Sequence, residues 1–449
     1  MPAIPVTYRP QDRAINELGD QERSQRQTTI DRAWAYRDGN FAPPLRVEPG
    51  QRDDNILLNL CGQMIDDKVS FIGVPDRIEI PGGVDRVRSD SGELQAAISP
   101  VQALVNRFWA VNDLSTFVPD VLESGMVSGH AFMRLHHDAA LPDTPLVSLL
   151  DPRWVTVFWD ASSPRRTLFY RLDWQQGNRA MRQDIVPAWL LNLNDDESAP
   201  RFDTSGGWVM IEYQQRGSGW EEVLRESWPY PFAPIVQVKN KHRPHAYYGV
   251  DDLRHARLND AVNFVASNTG RILKFHAHPK TIITGADLNQ IEATAVDQLW
   301  SIPNPEAQVQ NLEMQSDLAS SMGMLDFLSA AFYRESRLVD LSSIKDRIGQ
   351  LTNFGLRTLY SDQIDDAQAK RRVYGTGIAE VTRRALWMMG VAIDAAPRPI
   401  WPDLLPVDRR ELVATLTAEQ ALGIASRQTI AEDLGRDPLA EGERIAEEG

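Results

Sequence analysis

Apolar positions along the chain keep two periods, and the change from one to the other divides it into blocks. Between Asp53 and Ile72, residues Ile56, Leu57, Leu60, Met64, Ile65 and Val69 recur at three- and four-residue spacing, which predicts an amphipathic helix. After a loop holding Gly82 and Gly83, a second helical face runs from Ser99 through Val101, Leu104, Val105, Phe108 and Trp109, and a third is expected from Leu114 to Ser124. From Ala131 to Val238 the period shortens. Phe132–His136, Trp154–Trp159, Thr167–Trp174, Trp208–Gln214 and Glu222–Trp228 are aromatic or β-branched and often alternate, with Gly, Pro, Asn or Asp between them. They predict a β-rich layer of hairpins. Seven of the 12 tryptophans fall here, and large buried rings suit packed sheet core better than a sugar or base platform.

The helical period returns after Gly249. Val250, Leu253, Ala256, Leu258, Ala261, Val262, Phe264, Val265, Ile272 and Leu273 put apolar residues on more than one side of a helix over Asp251–His276, so neighbours must cover it. Such a helix spans roughly 39 Å at about 1.5 Å per residue. Pro279 stops it. Thr281–Thr284 then reads as a strand, Asp287–Leu299 as a small helix and Gln308–Met314 as a second strand, making an α/β insert over Ala277–Gln315. A further helix follows over Asp317–Glu335, with Leu318, Met322, Leu325, Leu328, Ala331 and Phe332 on a broad face and Asp317 or Ser316 as its cap. Ser336–Gly349 is too polar for core. From Gln350 to Met389 the helical period resumes for about forty residues, with a kink expected near Gly375 and Gly377. At the other end of the chain, Met1–Gln27 is polar and proline-punctuated, which suits a mobile arm or a peripheral helix.

Composition narrows the classes. A chain of 449 residues exceeds what one core usually supports, so two or three substructures are expected in an α+β fold. No run approaches the roughly 20 apolar residues of a membrane span. The single cysteine, Cys61, excludes an internal disulfide and reads as a buried, inert thiol. A net charge of −15 disfavours tight binding of a polyanion by the whole surface, although salt screens beyond about 8 Å and leaves room for local contacts.

Candidate chemistry is sparse. His276 and His278 have metal-like spacing but no acidic or cysteine partners, and His136 and His137 point to opposite sides of a strand. Asp195 with Asp196 and Asp365 with Asp366 read as solvated pairs rather than acid/base sites. Gly206 and Gly207 lack the Lys and Ser/Thr of a phosphate loop. The expectation is a protein that is not an enzyme; a carbohydrate hydrolase using the aromatic layer would need two carboxylates facing one cleft, and none stands out.

A set of short motifs in a fixed order resembles the portal proteins, or head–tail connectors, of tailed bacteriophages. It begins with Tyr36, Asp38, Gly39 and Asn40, continues with Asp53, Asp54, Asn55, Asn59 and the run Met64–Gly73, and passes through Asn112, Gly125, Gly129, Ala131 and Phe132 to Asp151, Pro152 and Val157. The most telling stretch is Gly249, Val250, Asp252, Leu253, Leu258, Asp260, Ala261 and Asn263. Thr415, Leu416, Gly423, Ile424, Ser426, Thr429, Ile430, Gly435, Glu441 and Ile445 are similar to the family's closing signature.

What the resemblance implies is a homo-oligomeric ring of about twelve subunits around a channel, in which each copy offers two different faces. Residues 1–250 would form the wing, 251–276 and 316–335 the stem helices, and 277–315 the clip. Residues 336–349 would form the tunnel loop, 350–402 a long wing helix with its following segment, and 403–449 the crown. Leu253, Ala261, Phe264, Val265, Leu318, Met322, Leu325 and Phe332 would pack the stem; Arg337, Ser342, Ser343, Lys345 and Arg347 would face the channel; Lys280, Ile282, Ile283 and Asp287 would dock the terminase and then neck adaptors. The partners implied are double-stranded DNA, terminase, adaptors, and capsid and scaffolding proteins, with no cofactor, no metal and no membrane. The expected location is the portal vertex of a virion, and the host cytoplasm during assembly. A channel that passes DNA must not grip it, and an acidic protein with a few basic groups near the bore meets that demand.

On the same reading, Lys370, Arg371, Arg372, Arg383 and Arg384 make intersubunit ion pairs rather than DNA contacts. The crown, with 11 acids against 5 bases from Asp403 onward, repels packaged DNA. The competing expectation is an acidic, non-catalytic scaffold or adaptor without a channel.

Overall fold

A computed structural model describes residues 3–4, 10, 12–50, 52–81, 84–88, 94–191, 202–217, 219–244, 246–277, 280–284, 308–312, 318–340, 353–405, 409–426, 429–431, 434 and 444–445. The chain opens with β1 (Ala3–Ile4), α1 (Arg13–Arg37), α2 (Leu60–Ile72), β2 (Arg77–Glu79), β3 (Val84–Arg88), β4 (Leu94–Ile98), α3 (Pro100–Val111) and α4 (Leu114–Ser128). A strand-rich block follows: β5 (His130–His136), β6 (Leu146–Leu150), β7 (Val155–Asp160), β8 (Ser163–Gln176), β9 (Arg179–Pro187), the short α5 (Ala188–Leu191), β10 (Trp208–Arg216), β11 (Gly219–Trp228) and β12 (Ile235–Lys239). The remainder is α6 (Ala256–Ala277), β13 (Lys280–Thr284), β14 (Gln308–Leu312), α7 (Leu318–Ser336), α8 (Asn353–Leu359), α9 (Ser361–Met388), β15 (Arg398–Ile400) and α10 (Arg409–Ala421). The chain is mixed α/β, with a central strand-rich block between helical ones and short strands among the helices. Among the described residues no helix is long and apolar enough to cross a membrane.

The strands form a six-stranded sheet, β1-β7-β8-β9-β10-β11, and a three-stranded sheet, β12-β5-β6. Only β1 runs parallel to its neighbour in the larger sheet. Sequence alternation finds β5, β7, β8, β10 and β11 but not β9, because β9 buries charge. Arg171 stands opposite Asp184, and Asp173 opposite Arg182, across β8 and β9. Both pairs close, at 2.6 and 2.7 Å, on the covered face. Helix α1 lies over them: Asn16 accepts from Arg171 at 2.6 Å, and Asp20 accepts from Arg182 at 2.9 Å. The polar N-terminal segment is therefore a docked helix that runs on to Arg37 and buries Ile15, Ile30, Ala33 and Tyr36, not a mobile arm. Its polar residues are the anchors, which is why apolar periodicity missed it.

One continuous core joins α1–α4, both larger sheets and α9. Phe132, Val157 and Trp159 of the strands meet Val121 and Leu122 of α4 and Ile378 and Val381 of α9 in it, all buried. Of the seven tryptophans in the strand block, Trp159, Trp208 and Trp228 are core, whereas Trp154 is exposed. Helix α9 continues through Gly375 and Gly377 to Met388, and the shorter α8 precedes it, ending at Leu359. Gly377 is there for close approach, since a Cβ would overlap the Val238 side chain of β12. Cys61 is buried, and burial with the nearby Asp260 pushes its thiol up to about 12.

Candidate assembly surface on the stem helices

The root of the first expected stem helix is a buried charge cluster. A single 3-10 turn, Leu253–His255, leads into α6, and Asp252 just before it is fully enclosed. Its carboxylate takes Lys241 at 2.7 Å, Lys370 at 2.9 Å and Lys68 at 3.3 Å, and accepts the Asn240 amide at 3.0 Å. Asp366 shares Lys68 at 3.2 Å, and the Asn240 carbonyl accepts from Lys370 at 2.5 Å and from the Tyr374 hydroxyl at 3.0 Å. Burial alone would raise the Asp252 pKa, but Lys370, Lys68 and Lys241 overcome it and hold the carboxyl well below its ordinary range. Four positions, Lys68 on α2, Asn240 and Lys241 just after β12, and Lys370 on α9, are thereby tied to one carboxylate.

Backbone geometry makes room for this knot. Gly129, at φ +81°, and Gly249 approach so closely that a Cβ on Gly249 would overlap the Gly129 carbonyl oxygen. Asp366 is thus a core ion-pair partner, not a solvated carboxylate. Of the five basic residues expected to pair between subunits, Arg372 is exposed and the other four have partners within the chain: Lys370 in this cluster, Arg371 on the Ile72 and Pro402 carbonyls, Arg383 on Glu380, and Arg384 on Glu380 and the Ala233 and Ile235 carbonyls. Their apolar neighbours on α9 are core, so these side chains are drawn inward with them.

Above the root, α6 presents a polar ladder. Leu60, Leu58 and Ile56 donate their backbone N–H groups to Asn259, Asn263 and Ser267 at 2.8, 2.8 and 2.9 Å. Asn263 and Ser267 donate back to the Leu58 and Ile56 carbonyls, and Arg271 reaches Asp54 at 2.9 Å. Two residues of extended chain advance about 6.6 Å and four residues of helix about 6.0 Å, so the rungs stay in register. Residues 53–59 are therefore extended along α6, and the helix predicted from Asp53 begins at Leu60, where the Asn59 side chain accepts the Gly62 N–H. The ladder is legible only as its four-residue spacing, 259, 263, 267 and 271.

Helix α7 returns along α6, and its end meets the start of α6: Glu335 lies 3.8 Å from His255, while Phe332 and Leu253 are buried in the same core. Of the residues expected to pack the stem, Leu253 and Phe332 are buried within the chain; Ala261, Val265, Leu318 and Leu325 are half-buried. Phe264 and Met322 are 49% and 48% exposed, and with them Leu273, Met324 and Phe327 at 49%, 47% and 61%. Among the described residues these side chains are only partly covered.

Of the expected channel residues, Arg337 is exposed at the end of α7, while Ser342, Ser343, Lys345 and Arg347 lie outside the described residues. Arg337 takes φ +57° in a Schellman cap, with the Leu338 N–H donating to the Tyr333 carbonyl at 3.0 Å and the Arg337 N–H to Arg334 at 3.1 Å. Ser336 and Leu338 are buried, so the polar loop begins later than the sequence suggests. In the segment expected to form the clip, β13 and β14 pair antiparallel, with Ile282 opposite Gln310 and Ile283 opposite Val309. Lys280, Ile282 and Ile283 are on this hairpin; Asp287 and the helix expected after it lie outside the described residues. Within residues 403–449, α10 buries Leu416, and Leu422 and Ile424 just after it are exposed.

No protein-family profile and no curated protein matches the chain. Among solved structures it is similar to a chain in the neck of a native gene transfer agent particle computed with C12 symmetry, at 14% identity and a TM-score of 0.44 over 84% of this chain and 91% of that one. A chain in the neck of an empty particle computed with C6 symmetry aligns at 16% identity and 0.44 over 88% and 96%. A chain in the virion of the native gene transfer agent particle aligns at 15% identity and 0.45 over 92% and 99%. Values this low carry no function from those chains to this one.

Proposed function

We propose that the chain is the repeating subunit of a portal-type ring in a phage-like particle, through which double-stranded DNA is packaged by a terminase and later ejected. The observation that carries this reading is the contrast within the α6–α7 pair. Its root is locked into the body by Asp252 and one side of α6 by the ladder, yet Phe264, Leu273, Met322, Met324 and Phe327, which point to more than one side of the pair, remain about half exposed or more. Large apolar side chains left exposed on more than one side of a rigid helix pair suit a subunit with interfaces on two faces. A second copy supplies the cover if successive subunits meet through two different faces, and such heterologous contacts close into rings.

The ordered motif resemblance places that helix pair where a portal carries its stem. In this reading the hairpin β13–β14 and the residues around it dock the terminase and then the neck adaptors, and the loop after Arg337 faces the channel. The proposed role needs no catalysis and no cofactor. Electron microscopy of the purified protein tests it: a closed ring with an axial hole wide enough for duplex DNA is expected, and solitary particles at every concentration overturn it.

A further inference from the structure

A groove of about 570 Å³ runs along β12, on the opposite side from β5. Its register shows what faces the groove. The Asn240 N–H donates to the Gly129 carbonyl and the Leu135 N–H to the Pro234 carbonyl, which sets the alternation of the antiparallel ladder. Val236 and Val238 turn their backbone groups to β5; Ile235, Gln237 and Lys239 turn theirs outward. Among the described residues β12 pairs with β5 alone. Arg384 covers the first outward carbonyl, Ile235, at 2.9 Å, and leaves the outward groups of Gln237 and Lys239 without a backbone partner there.

The walls are chemically distinct. Helix α9 lies along one side, with Arg372, Thr376, Glu380 and Arg384 at four-residue spacing, and Tyr170 and Tyr247 form the other. Glu380, the acid lining the groove, is neutralised by Arg384 at 2.6 Å and Arg383 at 2.8 Å. Lys239, His242 and Arg372 have no carboxylate partner among the described residues; Lys239 sits 4.0 Å over the Tyr247 ring, and burial draws its pKa down. The Gln237 side-chain nitrogen is also buried there without a hydrogen-bond partner. On a protein of net charge −15, the groove is a local cationic site beside an open strand edge.

We propose that the free edge of β12 docks an extended acidic peptide segment of a partner protein, which adds a strand to the β12-β5-β6 sheet and sets a carboxylate against Lys239 and Arg372. An edge strand offers main-chain hydrogen bonds that any extended chain satisfies, and the flanking side chains supply selectivity. Ile235 to Lys239 spans about 13 Å at about 3.3 Å per residue, enough for a segment of about four residues. Acidic segments are selected because Lys239 and Arg372, which line the groove without a carboxylate partner, are cationic.

The test is fluorescence anisotropy of the full chain with a labelled decapeptide of alternating glutamate and valine. Its lysine–valine counterpart and a copy N-methylated on alternate residues are the controls. The acidic peptide is expected to bind. Affinity should fall tenfold or more in Lys239→Glu/Arg372→Glu and by a similar factor on N-methylation, and the lysine peptide should not bind. Arg372→Glu alone, at an exposed position, should retain the wild-type melting curve and show part of the loss. No binding of the acidic peptide, or binding indifferent to the charge reversals or to N-methylation, overturns the proposal. Loss of assembled mass in the double variant, with no peptide binding to the wild type, assigns the edge to a second copy of the chain and overturns it equally.

Discussion

Lys370 of α9 holds its ammonium 2.9 Å from the carboxylate of Asp252, with both side chains shut away from solvent. The pair joins the helix that backs the body to the turn from which α6 starts, so the direction of α6 is set by electrostatics at its base. Removing one member of a buried ion pair strands the rest, at a cost of about 3–5 kcal/mol. Asp252→Asn would leave Lys68, Lys241 and Lys370 sharing Asp366, and a loss of that size is expected in chemical denaturation at neutral pH. A loss below about 1 kcal/mol would show that the cluster does not hold the root.

Acid should act on the same group. The folded pKa of Asp252 is depressed, so its stabilisation is complete above the unfolded carboxylate value of about 4 and drains away as pH falls below it towards the folded value. Thermal melting of the wild-type chain between about pH 5 and pH 3 should therefore fall more steeply than that of Asp252→Asn. Parallel curves would mean that Asp252 is not held ionised by its lysines.

Much of this fold was readable in advance, and the exceptions share a cause. Helices α3, α4, α6 and α7 and strands β5, β7, β8, β10 and β11 follow apolar periods and fall where those periods place them. Helix α1, strand β9 and the extended run 53–59 do not, because polar groups fix them: Asn16 and Asp20 on Arg171 and Arg182, and Asn259, Asn263 and Ser267 on a neighbouring backbone. Buried polar contacts between distant residues leave no period. For the same reason the Asp252 cluster was visible only as separate residues: Asp252 in a motif, Lys370 in a basic run and Asp366 in an acidic pair.

The ladder on α6 can be tested one rung at a time. Asn263 is buried and serves both the N–H and the carbonyl of Leu58, at 2.8 and 3.2 Å. Asn263→Ala leaves those two backbone groups unpaired and should cost about 1–3 kcal/mol. Hydrogen exchange should localise the effect, with faster exchange of the Leu58 amide. Unchanged protection at Leu58 would contradict the assignment.

Arg337 closes α7 in a left-handed conformation, at φ +57°, that a side chain adopts at a cost. Arg337→Gly relieves it, and a gain of about 0.5–1 kcal/mol in unfolding free energy is expected. A loss of stability would mean that the Arg337 side chain contributes more than its backbone costs.

The central claim is that the exposed apolar side chains of the α6–α7 pair are covered by further copies of this chain in a closed ring. Electron cryomicroscopy of the assembled protein addresses it most directly, because it shows both the symmetry and the surroundings of Phe264 and Phe327. The account predicts a ring with an axial channel, in which both rings of atoms are buried against the adjacent subunit. A well-resolved particle in which Phe264 and Phe327 remain in solvent, or in which no closed ring forms, would contradict it.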